Sequence, residues 1–244
     1  MDQDAYEIAF PDNAQDLDQN EEFIILQAEK GHEKVMLHDY QRFFEVPGLY
    51  EEVYKRLKCC SPQMLCGLLN KAMDAHENDS DALRVLDFGA GNGVAGERLK
   101  ENVGCETIVG VDIIEEAKEA ALRDRSKLYD DYLVADFTDL DKKEKDILES
   151  YDFNTLFSVA ALGYDHIGTE AFLNAFEIVS EDAWIAFNIK DRFLSEEDSS
   201  GFRDTIRDLV QERLHIIESQ RYVHRLSICE EPLYYIGVVG KKTE

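Results

Sequence analysis

Residues 85–96, VLDFGAGNGVAG, carry four glycines in two overlapping spacings. Counted from Gly89 they read Gly-x-Gly-x-Gly, and counted from Gly91 they read Gly-x-Gly-x-x-Gly, the spacing of a dinucleotide fingerprint. Either register lets the backbone turn tightly after a strand and approach a ligand at the N-terminus of the next helix. Asp112, at the end of the next apolar run, lies about 20 residues on, where an acidic side chain accepts hydrogen bonds from ribose hydroxyls. Asp112 serves both registers, so other features have to choose. Asp87 precedes Gly89 by two residues, and a carboxylate there suits a cationic ammonium better than a pyrophosphate. Asp136-Phe137 ends a third apolar run with an acceptor beside an aromatic ring, a pairing suited to the amine and face of adenine. With one α/β unit read, no separate substrate domain of the kind many dehydrogenases carry is expected. These features favour the Gly89 register, with Gly96 there for close helix packing.

To bring these residues together the chain must wind a parallel sheet. From Leu83 short apolar runs alternate with amphipathic segments: RVLDFG, VAGERLKEN, TIVGVDI, EEAKEAALRDR, DYLVADF. The alternation continues through NTLFSVAAL, a helix with Phe172, Ala175, Phe176 and Val179 on one face, AWIAFNIK, and a helix with Phe202, Ile206, Leu209 and Val210 on one face. Strand, helix, strand in this order implies right-handed crossovers. The last two runs, IIESQRYVH and LYYIGVVG, are separated by too few residues for a crossover and must pair antiparallel. Ahead of the core, a helix is expected from about Leu49 to Lys58, with Tyr50, Val53, Tyr54 and Leu57 on one face. A second helix restarts at SPQMLCGLLNKAMDA, Ser61 capping it and Pro62 in its first turn. HENDSD, residues 76–81, is expected to be a polar hinge or loop. The expected organisation is an acidic N-terminal segment and helical lid over residues 1–80, then an α/β core over 81–244.

Composition narrows the function. The 244 residues include 26 Lys and Arg against 52 Asp and Glu, a net charge of −26 that opposes binding to phosphate backbones. Met1 to Glu29 holds no Lys or Arg, and the plain expectation there is a solvated, partly disordered tail. No apolar run has the length of a membrane helix, and MDQDAYEIAF lacks the features of a signal peptide, so a soluble cytoplasmic protein is expected. The five cysteines form no Cys-x-x-Cys pair and read as reduced. The six histidines are scattered without ligand spacing, so no metal is expected.

VLDFGAGNG, VGVDI, VADF and YDFNTLFSVAAL, in this order and spacing, resemble the successive motifs of the class I S-adenosylmethionine-dependent methyltransferases over about residues 83–240. The resemblance implies a Rossmann-like seven-stranded, mostly parallel sheet of order 3-2-1-4-5-7-6, with strand 7 antiparallel and helices on both faces. It implies S-adenosylmethionine as cofactor, with Gly89, Ala90 and Gly91 along the methionine part, Asp112 and Ile113 at the ribose and adenine edge, and Asp136 and Phe137 at the adenine. Asp87, Phe88 and Val159 complete the candidate cofactor set. Within the family, AALGYDHIGTEAFL, FNIKDRFL and HRLSICEEPLYYIGVVGKK resemble a group of methyltransferase-like proteins of undefined substrate that includes one encoded in the Williams-Beuren chromosomal region.

Methyl transfer from a sulfonium is an in-line displacement, for which the protein aligns the reactants, excludes water and accepts a proton where the nucleophile needs it. The acceptor should sit above the fourth and fifth core strand ends, which lead into Tyr164, Asp165 and His166, and into Asn188 and Lys190. His166 has the intrinsic pKa of a general base, and Asp165 that of a base or a cation partner. The competing account has His166 capping the following helix. Tyr40, Tyr50 and Tyr54 either close over the site, Tyr40 then joining the catalytic set, or merely pack the lid onto the core. The fourth strand lacks the Asn/Asp-Pro-Pro-aromatic motif of base and glutamine amide methylation. A small molecule methylated at N or O is the expected acceptor; a protein side chain, a non-catalytic partner subunit and an NAD-dependent reductase are the alternatives.

Overall fold

The computed structural model describes residues 6–11, 17–28, 31–76, 82–163 and 167–244. Strands β4 (Arg84–Phe88), β5 (Thr107–Asp112), β6 (Asp131–Val134), β7 (Thr155–Ser158), β8 (Trp184–Lys190), β9 (Leu214–Leu226) and β10 (Pro232–Lys242) form one sheet, in the order β6-β5-β4-β7-β8-β10-β9. Renumbered from β4 this is 3-2-1-4-5-7-6. The first five pair in parallel, and β10 runs antiparallel to both β8 and β9, as the short connection between the last two requires. Between them lie α4 (Val94–Asn102), α5 (Glu115–Asp124), α6 (Lys142–Ser150), α7 (Thr169–Ile178) and α8 (Phe202–Glu212). The central strands are buried on both faces, as a parallel sheet covered by helices must be. Two apolar clusters result: one holds Phe153, Phe172, Phe187 and Phe202, the other Leu65, Leu69, Phe157 and Trp184.

The N-terminal region differs from the expected tail. Glu7–Ala9 (β1), Phe23–Ala28 (β2) and Gly31–Met36 (β3) form a three-stranded antiparallel sheet. In β2, Ile24 and Leu26 are buried on one face, opposite the half-buried Phe23 and Ile25. This sheet packs with α1 (Tyr40–Glu45) and α2 (Leu49–Arg56) in a third cluster containing Ile24, Leu26, Val35, Phe43, Val53 and Tyr54. Helix α2 ends two residues short of the expected boundary, and Val53, Tyr54 and Leu57 are buried as its pattern implies. Helix α3 (Ser61–Asp74) has Pro62 in its first turn, but its N-cap is Cys60. Ser61 is fully buried against the hairpin, and its hydroxyl bonds to Tyr222 Oη at 2.7 Å and His224 Nδ1 at 2.6 Å instead of capping the helix.

One buried ion pair fastens the N-terminal sheet to the core. Glu22 Oε2 accepts from Arg225 Nη2 at 2.5 Å, with 1% and 2% of the two side chains exposed. Glu22 Oε1 accepts from Ile228 N at 2.6 Å, and Arg225 Nη1 donates to Leu226 O at 2.8 Å, so both ions are further hydrogen-bonded. Removing one partner strands the other charge in the interior, which costs about 3–5 kcal/mol. Glu22→Ala therefore unfolds at markedly lower urea concentration, and Glu22→Leu with Arg225→Met recovers most of the loss. A Glu22→Ala protein within about 1 kcal/mol of the parent would mean that the pair is incidental.

Candidate active site

The carboxyl ends of β4, β5, β6 and β7 open onto a cavity of about 900 Å³. It lies where strand order reverses, β5 on one side of β4 and β7 on the other, the position at which open α/β sheets bind ligands. Phe88, Gly89, Ala90, Gly91, Asp112, Ile113, Asp136, Phe137 and Val159 all line it, together with Tyr40 from the lid.

The loop after β4 is held from below and pressed from above. The amides of Gly89 and Ala90 donate to Val111 O at 2.9 and 3.0 Å, at the end of β5. Gly89 has φ +75°, and a Cβ there would lie 2.4 Å from Ala161 Cβ, so both conformation and space demand glycine. Gly91 N donates to Asp112 Oδ2 at 2.9 Å, and Ile114 N donates to Asp112 Oδ1 at 3.1 Å. Burial raises the Asp112 pKa, and these backbone donors oppose it. Each oxygen keeps a lone pair for a further donor, which suits ribose hydroxyls. Ile113, 64% exposed, turns an apolar side chain onto the cavity. Across from it Phe137 is buried against Phe88, ring centroids 4.7 Å apart. Asp136 is exposed, and hydrogen bonds from the Thr138 hydroxyl and amide hold its carboxyl below the usual range. An ionised acceptor, an aromatic ring and an aliphatic face thus line the same cavity.

Asp87 corrects the sequence reading. Its side chain is buried behind the loop, outside the cavity lining, where Tyr129 Oη donates to Oδ2 at 2.7 Å. Gly96 is glycine because a Cβ would lie 2.6 Å from that same Oδ2, which accounts for the coincidental dinucleotide spacing. Burial pushes the Asp87 carboxyl up to about 7, the Tyr129 bond opposing and the Asp112 charge adding to it.

The fifth-strand residues are corrected as well. Asn188 is fully buried, accepting from Ala160 N at 2.5 Å and donating to Tyr222 Oη at 2.6 Å. It fixes the loop after β7, where Ala160 takes φ +55°. Lys190 also lies off the cavity wall, with its ammonium on the Gln19 side-chain oxygen and burial lowering its pKa to about 8. Tyr164, Asp165 and His166 lie outside the described residues.

The lid both packs and lines. Tyr40, Phe44, Tyr50 and Tyr54 form a string of rings at 4.4–6.2 Å, and all four border the cavity. A Cβ on Gly91 would lie 3.1 Å from Phe44 Cζ, so the lid rests on the glycine loop itself. Burial raises the pKa of Tyr40, Tyr50 and Tyr54, and Tyr40 and Tyr54 share a hydrogen bond. Tyr40 is therefore a neutral phenol at physiological pH, a hydrogen-bonding group and not a base. A polar clamp missed in the sequence joins lid to loop: Glu51 Oε1 accepts from Asn92 Nδ2 at 2.8 Å and from Arg125 Nη1 at 2.9 Å. Arg125 also donates to Asn92 O at 3.1 Å and Glu97 Oε2 at 3.2 Å. Among the described residues no group of three or more His, Cys, Asp or Glu is placed to hold a metal, and no helix is long and apolar enough to cross a membrane.

No protein-family model and no curated protein sequence matches the chain. Solved structures do. The N-methyltransferase NodS from Bradyrhizobium japonicum WM9, crystallised with S-adenosyl-L-homocysteine, is 15% identical, covering 75% of this chain and 87% of its own at a TM-score of 0.51. A chain of the Haloferax volcanii complex containing the Trm112 methyltransferase activator is 15% identical, covering 84% and 98% at a TM-score of 0.54. The Thermoplasma acidophilum 1320 structure is 16% identical, covering 73% and 85% at a TM-score of 0.51. At these identities the likeness is one of fold: the chain has the class I methyltransferase fold.

The Asp87 environment generates a pH signature. A folded-state pKa of about 7, above the ordinary carboxylate value of 3.8, means that the folded protein binds this proton more tightly than the unfolded chain. Stability contributed by the protonated group is therefore lost as pH rises from about 4 through about 7. Asp87→Asn, which keeps an acceptor for Tyr129, melts higher than the parent near pH 8 and by a smaller margin near pH 5. An offset that does not change with pH would contradict this assignment.

Proposed function

We propose that the cavity binds S-adenosylmethionine and that the protein transfers its methyl group to nitrogen or oxygen of a small molecule held under the lid. The observation that carries this is the convergence of Asp112, Ile113, Asp136 and Phe137 around the glycine loop in one cavity: a ribose acceptor, an aliphatic face, an acceptor for an exocyclic amine and a ring. The fold is shared with NodS, whose crystals hold S-adenosyl-L-homocysteine. A dinucleotide reading is weaker, because Gly96 is explained by its contact with Asp87.

When bound, the cofactor supplies an electrophilic methyl on a sulfonium, and the protein's share is alignment and exclusion of water. The glycine loop and Val159 form the floor under the methionine part, and α1 and α2 form the roof. The neutral phenols of Tyr40 and Tyr54 supply hydrogen bonds to an acceptor. Where the nucleophile must lose a proton, Asp165 and His166, which follow Gly163 in the sequence, are the candidate acceptors in this reading. A lid pinned to the glycine loop by Phe44 and Glu51 favours a small acceptor over a protein side chain. In this reading residues 1–80 serve as lid and residues 81–244 as the catalytic core. The resemblance of the β8 end and the β9–β10 hairpin to the Williams-Beuren group supports membership of that group. Cys59, Cys60, Cys66 and Cys105, none of them in a disulfide, support a reducing, cytoplasmic setting in this reading.

Calorimetric titration tests the cofactor. S-adenosylmethionine and S-adenosylhomocysteine bind with Kd on the order of micromolar, NADH does not bind, and Asp112→Ala weakens both by about tenfold or more through loss of the charge-assisted ribose bonds. Binding of NADH alone would overturn the reading. A screen of small amines and phenols for methylated product, followed by mass, then tests the acceptor class.

A further inference from the structure

A sulfonium cofactor of this kind carries an α-ammonium, and the residue expected to meet it, Asp87, is buried elsewhere. Resting on the cofactor reading above, we propose that Glu51, on lid helix α2, is the carboxylate that receives this ammonium. The carboxylates on the cavity wall among the described residues are Glu51, Asp112 and Asp136. Both oxygens of Asp112 accept from backbone amides, which fixes it at the loop and ribose edge. Asp136 sits past the end of β6, at the adenine end, held by Thr138. Glu51 is the remaining one, and it stands beside the stretch of glycine loop assigned to the methionine part.

Its geometry fits the role. Oε1 takes both bonds of the clamp, from Asn92 and Arg125, which orients the carboxylate. Oε2 makes no hydrogen bond among the described residues, and Glu51 keeps 34% of its side chain exposed while lining the cavity. Arg125 is shared between two carboxylates, Glu51 at 2.9 Å and Glu97 at 3.2 Å. Asn92 is 3% exposed and belongs to the loop, so the clamp holds Glu51 and the loop backbone in register. An ammonium on Oε2 then adds a ligand contact to the clamp that already seats the lid on the loop.

The full-length chain is titrated with S-adenosylhomocysteine, which has the ammonium, and with 5′-methylthioadenosine, which lacks the amino-acid portion. Glu51→Gln keeps an acceptor for Asn92 and Arg125 but loses the charge. It weakens S-adenosylhomocysteine by about tenfold and leaves 5′-methylthioadenosine within about twofold, the latter reporting an intact fold and adenosine site. Asp87→Asn leaves the ratio of the two affinities as in the parent. Equal weakening of both ligands by Glu51→Gln, no weakening of either, or a changed ratio in Asp87→Asn instead would each overturn the assignment. Failure of the unsubstituted protein to bind either ligand would overturn the cofactor reading itself, a result visible before any substitution is made.

Discussion

The structure depends on how little room surrounds the glycine loop after β4. At Gly89 the β7 loop touches from one side through Ala161, at Gly91 the lid touches through Phe44, and at Gly96 the Asp87 carboxylate and Tyr129 lie within 3 Å of where a Cβ would stand. A side chain at any of these points would push apart elements that together enclose the cavity. Asp112 converts that closeness into a defined shape, because its carboxylate holds the Gly91 amide while facing the ligand space. Cavity wall and backbone anchor are the same group.

The lid is positioned by the same economy. Phe44 rests on Gly91, its carbonyl accepts from Arg123 at 3.0 Å, and Gln41 bonds Glu116 at 2.6 Å, so α1 is seated on α5. Helix α2 is tied to the loop through Glu51, Asn92 and Arg125. Behind both, the Glu22–Arg225 pair joins the N-terminal sheet to the β9–β10 hairpin, with the guanidinium 5.9 Å from the Tyr54 ring. The acidic N-terminal region is thus a structural backing for the lid, and one of its carboxylates is among the most buried in the protein.

Much of this was legible in the sequence for identifiable reasons. Crossover helices and parallel strands impose an alternation that survives in a single chain, so the seven core strands, the antiparallel last pair and the positions of Asp112, Asp136 and Phe137 near strand ends could be read, whereas the strand order came from the family resemblance. What failed had a different origin. Adjacent strand residues point to opposite faces, and with β4 buried on both sides nothing in VLDF tells whether Asp87 or Phe88 faces the ligand. The apolar run Phe23–Leu26 was hidden within a segment judged by its charge. Ser61 looked like a helix cap because its partners, Tyr222 and His224, lie about 160 residues away and become visible only when the hairpin is folded. The Glu51 clamp has no sequence signature, being made by three residues on three elements.

The central claim is that this cavity is an S-adenosylmethionine site closed by its own lid, and a crystal structure of the complex with S-adenosylhomocysteine tests it most directly. The account predicts the ribose hydroxyls on Asp112, the adenine between Ile113 and Phe137, and the thioether under Tyr40 and Phe44. Density for the ligand outside the cavity, or an adenine lodged under the lid with Asp112 unengaged, would contradict it.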